Sequence, residues 1–398
     1  LQIYKKNNLY QRKNDYFCTV KILYVVESLA NKGGVERILT EKVNYLTSRY
    51  GFDVTVVCCT QQSSQPNAFP LFDKVKQVFM AVPYYDQYLY GYPKRLWVKW
   101  SLERQLQNTL VNVVKSEDPD ILVGIGHYRA NRVCSIKCRA KKVVECHEAR
   151  PFSLSGLSQH RGRLTGLYMK HYRKLYFRTV ERKADVVVTL TDGDLCEWER
   201  ARRAMVIPNF SALPVNEYST LKAKRVIAVG RLEWEKGYRR MLEIWHIVVR
   251  QHPDWRLDIV GNGCMENEIR KMIADKDIPN VVIFGTVENV WHEYAHSSIF
   301  MHTSFFEGFG LVLLEAMRHG LPCVAFDCPY GPRSIIEDGK CGFLVNDGDK
   351  KTFVARLGQL MDNEELRRQF SQAALEHVKQ FDVDVVMGKW KKLFEGLS

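Results

Sequence analysis

Glu307-Gly308-Phe309-Gly310-Leu311-Val312-Leu313-Leu314-Glu315 sets two carboxylates eight residues apart around two glycines and an apolar run. Glycine admits positive φ and close backbone approach, so residues 308–310 read as a loop. Leu311, Leu314, Ala316 and Met317 recur near helical spacing and predict a helix over residues 311–319. A glycine loop entering a helix presents unpaired backbone N–H groups and the positive end of the helix dipole, an anion site suited to phosphate. Glu307 at the mouth and Glu315 farther along can then meet hydroxyls at the two ends of a phosphate-bearing ligand. Taken alone, the segment reads equally as a buried helix with two incidental acids.

Working outward, short β-branched runs alternate with helical patterns along the whole chain. Strands are predicted at 21–26, 54–59, 121–125, 143–146 and 186–190, then at 226–229, 257–260, 281–284, 299–301, 322–326 and 343–345. Helical patterns between them cover 35–48, 96–114, 237–251, 265–274 and 352–361. Continuous apolar strands alternating with helices imply α/β architecture with parallel sheets covered on both faces. The stretch from Pro208 to Lys224 is rich in Pro, Asn and Ser and reads as a linker. The expected organisation is two Rossmann-like doubly wound domains facing across a cleft, residues 1–214 and 215–381. A helix over 382–398 either packs on the second domain or crosses back to the first.

The bulk numbers fit a two-domain globular protein: 398 residues, 46% hydrophobic and 26% charged. No apolar run reaches bilayer length, and the first twenty residues are polar and basic. A cytoplasmic protein is expected, with residues 1–14 as a frayed lead-in. Eleven cysteines without a CxxC pair read as reduced thiols, not a disulfide or zinc framework. The net charge of +13 admits nucleic acid, anionic membrane or phosphorylated ligands as partners. From Arg129 to Lys183 fifteen Lys/Arg face three Asp/Glu. Within that stretch, residues 161–183 interleave bases with an apolar side. This is either a helix on an anionic surface, such as the inner face of the cytoplasmic membrane, or a packed amphipathic helix. Tyr84, Tyr85, Tyr88, Tyr90 and Tyr92 read as stacking groups for sugar or lipid, or as core.

Several turns could serve a phosphate ligand. Gly33-Gly34 follows the first strand at a strand-to-helix turn, without a dinucleotide or P-loop fingerprint. Gly230-Arg231 ends the first strand of the second half, and Lys236-Gly237 precedes a helix. These two cations suit a diphosphate, Arg by bidentate bonds and Lys as a compact charge. Gly261-Asn262-Gly263 and Gly285-Thr286-Val287 are further turns after strands. Asp192-Gly193-Asp194 has the form of a metal-binding DxD, but follows a first-half strand and reads as a helix cap.

In order and spacing these stretches resemble the retaining GT-B glycosyltransferases of family 4, of the bacterial polysaccharide, capsule and lipopolysaccharide type. The resemblance covers most of the chain and is densest from Val226 to Asp347. It is carried by Gly230-Arg231-Leu232 with Lys236-Gly237, Val260-Gly261-Asn262-Gly263, Gly285-Thr286-Val287, the Glu307-x7-Glu315 motif and Gly320-Leu321-Pro322. Tyr330 to Gly339, Gly342 to Val345 and Ile207-Pro208-Asn209 add to it. It implies that Glu307 bonds hydroxyls of the transferred sugar and Glu315 those of the ribose. The loop Gly308, Phe309, Gly310 and Leu311 would hold the distal phosphate through Gly310 and Leu311 N–H groups. Arg231 and Lys236 would neutralise the leaving diphosphate. Val287 would meet the nucleobase through main chain, beside the Gly261 turn, and Gly33 and Gly34 would lie under donor phosphate and sugar. No cofactor or metal is implied, because the cations take the metal's place.

The resemblance also implies a histidine near the reacting sugar. His127 and His147 both follow first-half strands, and spacing does not separate them. His127 is favoured for the open Gly124-Ile125-Gly126 approach. The expected activity is retaining transfer of a hexose-type sugar from a nucleotide diphosphate, UDP foremost, to a glycan or lipid-linked saccharide. The rivals are a GT-B-fold epimerase or phosphorylase and a non-catalytic sugar-nucleotide binder. Nucleic-acid binding rests on net charge alone.

Overall fold

The computed structural model describes residues 19–150, 177–211, 213 and 215–398. The lead-in and most of the basic 161–183 segment lie outside the described residues. Two parallel sheets form. The first contains β1 (Lys21–Val26), β2 (Asp53–Cys58), β3 (Lys76–Phe79), β4 (Ile121–Ile125), β5 (Lys141–Glu145), β6 (Val186–Thr189) and β7 (Ala204–Val206), in spatial order β3-β2-β1-β4-β5-β6-β7. The second contains β8 (Arg225–Val229), β9 (Arg256–Val260), β10 (Val281–Gly285), β11 (Ile299–His302), β12 (Cys323–Asp327) and β13 (Gly342–Asn346), in order β10-β9-β8-β11-β12-β13.

Central strands such as β4 are buried along their whole length, which is why they read as unbroken apolar runs. β3 and β7 were not predicted. They are short edge strands, and only half buried, so they lack the apolar signature.

Both sheets reverse their winding direction once, between β1 and β4 and between β8 and β11. In doubly wound sheets the crevice beyond such a switch point is where ligands bind. Here the two switch points lie across from each other. The helices that matter most leave from them. α1 (Gly34–Tyr50) follows β1 and stops at Gly51, whose φ of 72° lets its N–H cap Leu46 O. α2 (Lys94–Glu117) precedes β4 and buries Leu102, Leu106, Leu110 and Val114 at four-residue spacing. α3 (Gly126–Ser135) leaves β4 directly.

In the second half, α4 (Leu311–Arg318) follows β11 across the glycine loop. The final helix, α5 (Val383–Glu395), buries Val386, Met387, Trp390, Leu393 and Phe394 in one apolar cluster with Ile22, Val54 and Val123 of the first sheet. The chain therefore ends by packing its last helix into the core it began with. The second sheet has its own core around Ile244, Trp245, Leu257 and Phe353. Tyr330 Oη donates to Glu197 at 2.8 Å and adds a contact between the halves.

Candidate functional site

Two helix N-termini converge at the centre of the cleft. Gly33 precedes α1 and Gly310 precedes α4, and neither helix carries a side-chain cap. Gly310 sits at φ 94°, a left-handed conformation that favours glycine. A Cβ on Gly34 would lie 3.2 Å from Leu311 Cδ1, so the first residues of the two helices nearly touch. The positive ends of both dipoles and their uncapped N–H groups thus share one small space. The Glu36 carboxylate folds back over Gly33, where its Oε2 would be 2.2 Å from an added Cβ. Burial pushes its pKa up. A phosphate over Gly33 would have to displace that side chain, a feature the glycine pair alone did not reveal.

Glu307 is buried, and three groups converge on its Oε1. Lys236 Nζ lies at 2.7 Å, Ser304 Oγ donates at 2.7 Å, and His302 Nε2 lies at 3.0 Å. Burial alone would raise its pKa, but Lys236 and His302 outweigh burial and hold the carboxyl well below the usual range. All three contacts fall on Oε1, which leaves Oε2 for a ligand. The backbone is pinned as well: Glu307 N–H donates to Pro329 O at 2.9 Å and Tyr330 N–H to Glu307 O at 3.0 Å. Lys236 is therefore the ion-pair partner of Glu307, not the free cation that the turn implied. His302 and Ser304 were missed, although His302 ends β11 and Ser304 follows it just before the glycine loop.

Glu315 faces differently. Tyr294 Oη donates to its Oε2 at 3.1 Å, and Arg37 of α1 approaches Oε1 at 3.8 Å from the opposite domain. Burial dominates here and pushes its pKa up to about 7. Neither Arg37 nor Tyr294 was singled out from sequence. Arg37 lies one helical turn past the Gly33-Gly34 pair and could have been.

The first domain contributes a cavity of about 330 Å³ lined by Glu27, Ser28, Glu36, Arg129, His147 and Glu148, with Gly126 at its edge. His147 is buried there, its Nε2 2.9 Å from Glu145 Oε1 but off the line of a good hydrogen bond. Glu145 is fully buried and also bonds Lys42. Burial opposes its ionisation, but Lys42 and then His147 prevail and hold its pKa at about 2. The Lys42 ammonium lies 4.0 Å from the Trp390 ring of α5. Burial raises the pKa of Glu148, while His147 and Arg231 oppose the rise.

Each expected site residue can now be placed. Glu307, Lys236, Glu315, Gly310 and Leu311 lie together at the cleft centre. Gly308 is pressed on the first domain, where an added Cβ would be 2.1 Å from His147 O. Phe309 is buried in the core beneath the loop, and half-buried Val287 packs on the same cluster. Gly261, at φ 140°, sits where a Cβ would meet Gly230 O at 2.0 Å, which ties the two turns together. Arg231 is exposed and pairs with Glu235 at 2.8 Å, so it stands at the rim. Its charge reaches across the cleft to Glu36 and Glu148. His127 is the second residue of α3, beyond β4. His147 lines the cavity. In the Asp192-Gly193-Asp194 turn, Thr191 is the cap and Asp194 accepts the Arg150 N–H at 2.7 Å. Among the described residues no cluster of three His, Cys, Asp or Glu is placed to hold a metal.

Residues 215–377 match the family model of the glycosyl transferases group 1. The amylovoran biosynthesis glycosyltransferase AmsD of Erwinia amylovora is 27% identical over 395 residues, 94% of this chain and 99% of that protein. Over residues 215–377 the chain is similar to the glycosyl transferases group 1, and its fold is that of the GT-B glycosyltransferases. An uncharacterized glycosyltransferase of Haemophilus influenzae is 32% identical over 213 residues, 52% of this chain but 60% of that protein's length. In fold, this GT-B chain matches Staphylococcus aureus TarM, solved with fondaparinux, alpha-GlcNAc-glycerol and UDP. The TM-score is 0.73 at 17% identity, over 94% of this chain and 100% of that one. The family match falls on the half that carries Lys236, Glu307 and Glu315. The first-domain cavity lies outside it.

Proposed function

We propose that the chain transfers a hexose-type sugar from a UDP-sugar to a glycan or lipid-linked saccharide, with retention at the anomeric carbon, in cell-surface polysaccharide synthesis. The observation that carries this reading is the meeting of two uncapped helix N-termini beside the Glu307–Lys236 pair. A diphosphate fits there by charge. The sugar would lie toward Glu307 Oε2 and the first-domain cavity, and the ribose toward Glu315. The complex of a TarM variant with UDP and alpha-GlcNAc-glycerol, and the amylovoran role in AmsD's name, support the donor and product classes.

Breaking the sugar–phosphate bond leaves negative charge on the diphosphate and oxocarbenium character on the sugar. Lys236, Arg231 and the helix dipoles stabilise the first. The anionic Glu307 bonds the sugar's hydroxyls and holds Lys236 in place. The acceptor hydroxyl enters from the first-domain cavity on the same face, and its proton passes to the departing phosphate. His147 and Glu148 shape that cavity. On this reading the cations do a metal's work, and activity survives chelator. The enzyme would act in the cytoplasm.

The test is turnover of a UDP-sugar panel, with the product's anomeric configuration read by NMR. Glu307→Gln and Lys236→Met should each lower kcat by about 10²–10³, the range for removing one preorganised charge-stabilising group. Wild-type turnover in both variants would exclude this site, and an inverted product would exclude retention.

A further inference from the structure

The first domain carries an apolar and basic surface that the cleft chemistry does not use. The segment 84–104 holds a 3-10 turn, Tyr84–Leu89, and the first turns of α2. From Leu102 onward α2 buries a regular stripe, whereas in its first two turns Val98 packs partly buried on the core and most neighbouring residues face outward. There Leu89 is 79% exposed, Trp97 67%, Trp100 58% and Leu96 56%, with Tyr88 and Tyr92 exposed beside them. Elsewhere on the described surface, exposed large apolar side chains are scattered. Contiguous exposed apolar groups of this kind mark a contact surface.

Cations are interleaved with these groups. Lys94 Nζ lies 4.3 Å from the Tyr90 ring, Arg95 4.2 Å from Tyr88 and Arg104 5.5 Å from Trp100. Lys99 adds a fourth, against only Asp86 and Glu103 in the segment. Glu103 is shared between Arg132 at 2.8 Å and Lys99 at 3.9 Å. Trp and Tyr among Lys and Arg, with exposed leucines at the tip, match the boundary of an anionic bilayer: rings at the headgroups, leucines in the acyl chains, cations on lipid phosphates. A soluble glycan would stack on the rings but gain nothing from Leu89 and Leu96.

We infer that this surface docks the protein on an anionic membrane. The docking does not rest on the glycosyl-transfer reading, although its use does. Arg129 lies over the Tyr84 ring at 5.6 Å and bonds Glu27, and both Arg129 and Glu27 line the first-domain cavity. A bilayer seated on the patch would present a lipid-linked acceptor at the cavity mouth. This places the contact ahead of the basic 161–183 segment.

Flotation of the full chain with phosphatidylglycerol/phosphatidylethanolamine vesicles, and with phosphatidylcholine vesicles, tests the proposal. The wild type should float with the anionic vesicles only, and less as salt rises. The double variant Trp97→Ala/Trp100→Ala and the charge variant Lys94→Glu/Lys99→Glu should each bind roughly tenfold more weakly, with unchanged thermal melts. Donor hydrolysis without acceptor should be unchanged in both, so failure of the active-site reading would leave the flotation result intact. Equal flotation of wild type and both variants would overturn the proposal, as would no flotation of the wild type. A raised KM for a soluble saccharide in the Trp variant, without any vesicle binding, would assign the surface to glycan instead.

Discussion

Glu315 shows how one side chain's surroundings set its chemistry. Its carboxyl is buried between Tyr294 and Arg37, and burial lifts its pKa to about 7. A carboxyl whose native pKa is raised binds its proton more tightly folded than unfolded. Its contribution to stability is therefore greatest below the unfolded value, near 4.3, and falls as pH rises through 7. Glu315→Gln should remove that loss. Thermal melts should show the variant more stable than wild type at pH 8, by on the order of 3 kcal/mol, with the difference closing toward pH 4. Parallel melting curves across this range would mean that Glu315 does not titrate as described. Glu307 behaves oppositely because Lys236 sits 2.7 Å away. The two acids of one motif look alike in the sequence, and only their neighbours from other elements separate them. Lys236, Glu307 and Glu315 were legible from turn chemistry. Tyr294 was not, since nothing local marks the carboxylate it faces, whereas Arg37, one turn past the glycine pair, and His302, five residues before Glu307, carried a local signal.

At the scale of elements, the glycine loop is a contact surface between the two halves. An added Cβ at Gly308 would be 2.1 Å from the backbone carbonyl of His147, an atom that cannot rotate away. Gly308→Ala should hold the two domains apart there and weaken donor binding by roughly tenfold, a loss of about 1.4 kcal/mol. Calorimetric titration with UDP checks the affinity, and X-ray scattering checks for a larger radius of gyration. Gly388→Ala, with open space around its Cβ, is the control. Unaltered affinity in Gly308→Ala would show that the loop does not need this approach. The strands were readable because buried parallel strands are uniformly apolar, whereas the edge strands β3 and β7 lack that pattern. α3 was missed because its sequence, Gly126–Ser135, is mostly polar and follows β4 without a break.

Across the whole molecule, α5 joins the end of the chain to its beginning. Trp390 is buried in the first core and covers the Lys42 ammonium, which in turn holds Glu145 beneath the His147 cavity wall. Trp390→Ala should cost about 3–5 kcal/mol, the range for deleting a large buried aromatic. Urea unfolding followed by circular dichroism would measure it. A change below about 1 kcal/mol, the scale of ordinary surface substitutions or less, would show that the helix is peripheral to the first core.

The amino-acid sequence by itself determined two doubly wound halves, the glycine loop and the acids that flank it. These follow from periodicity and turn chemistry, which are local and act before any long-range contact forms. Only the tertiary structure decided the rest. It paired Lys236 with Glu307, brought Arg37 to Glu315, set α1 and α4 end to end, and left the Trp97 surface uncovered. Those outcomes depend on how separately folded sheets are oriented and packed, and residue spacing along the chain carries no record of that orientation.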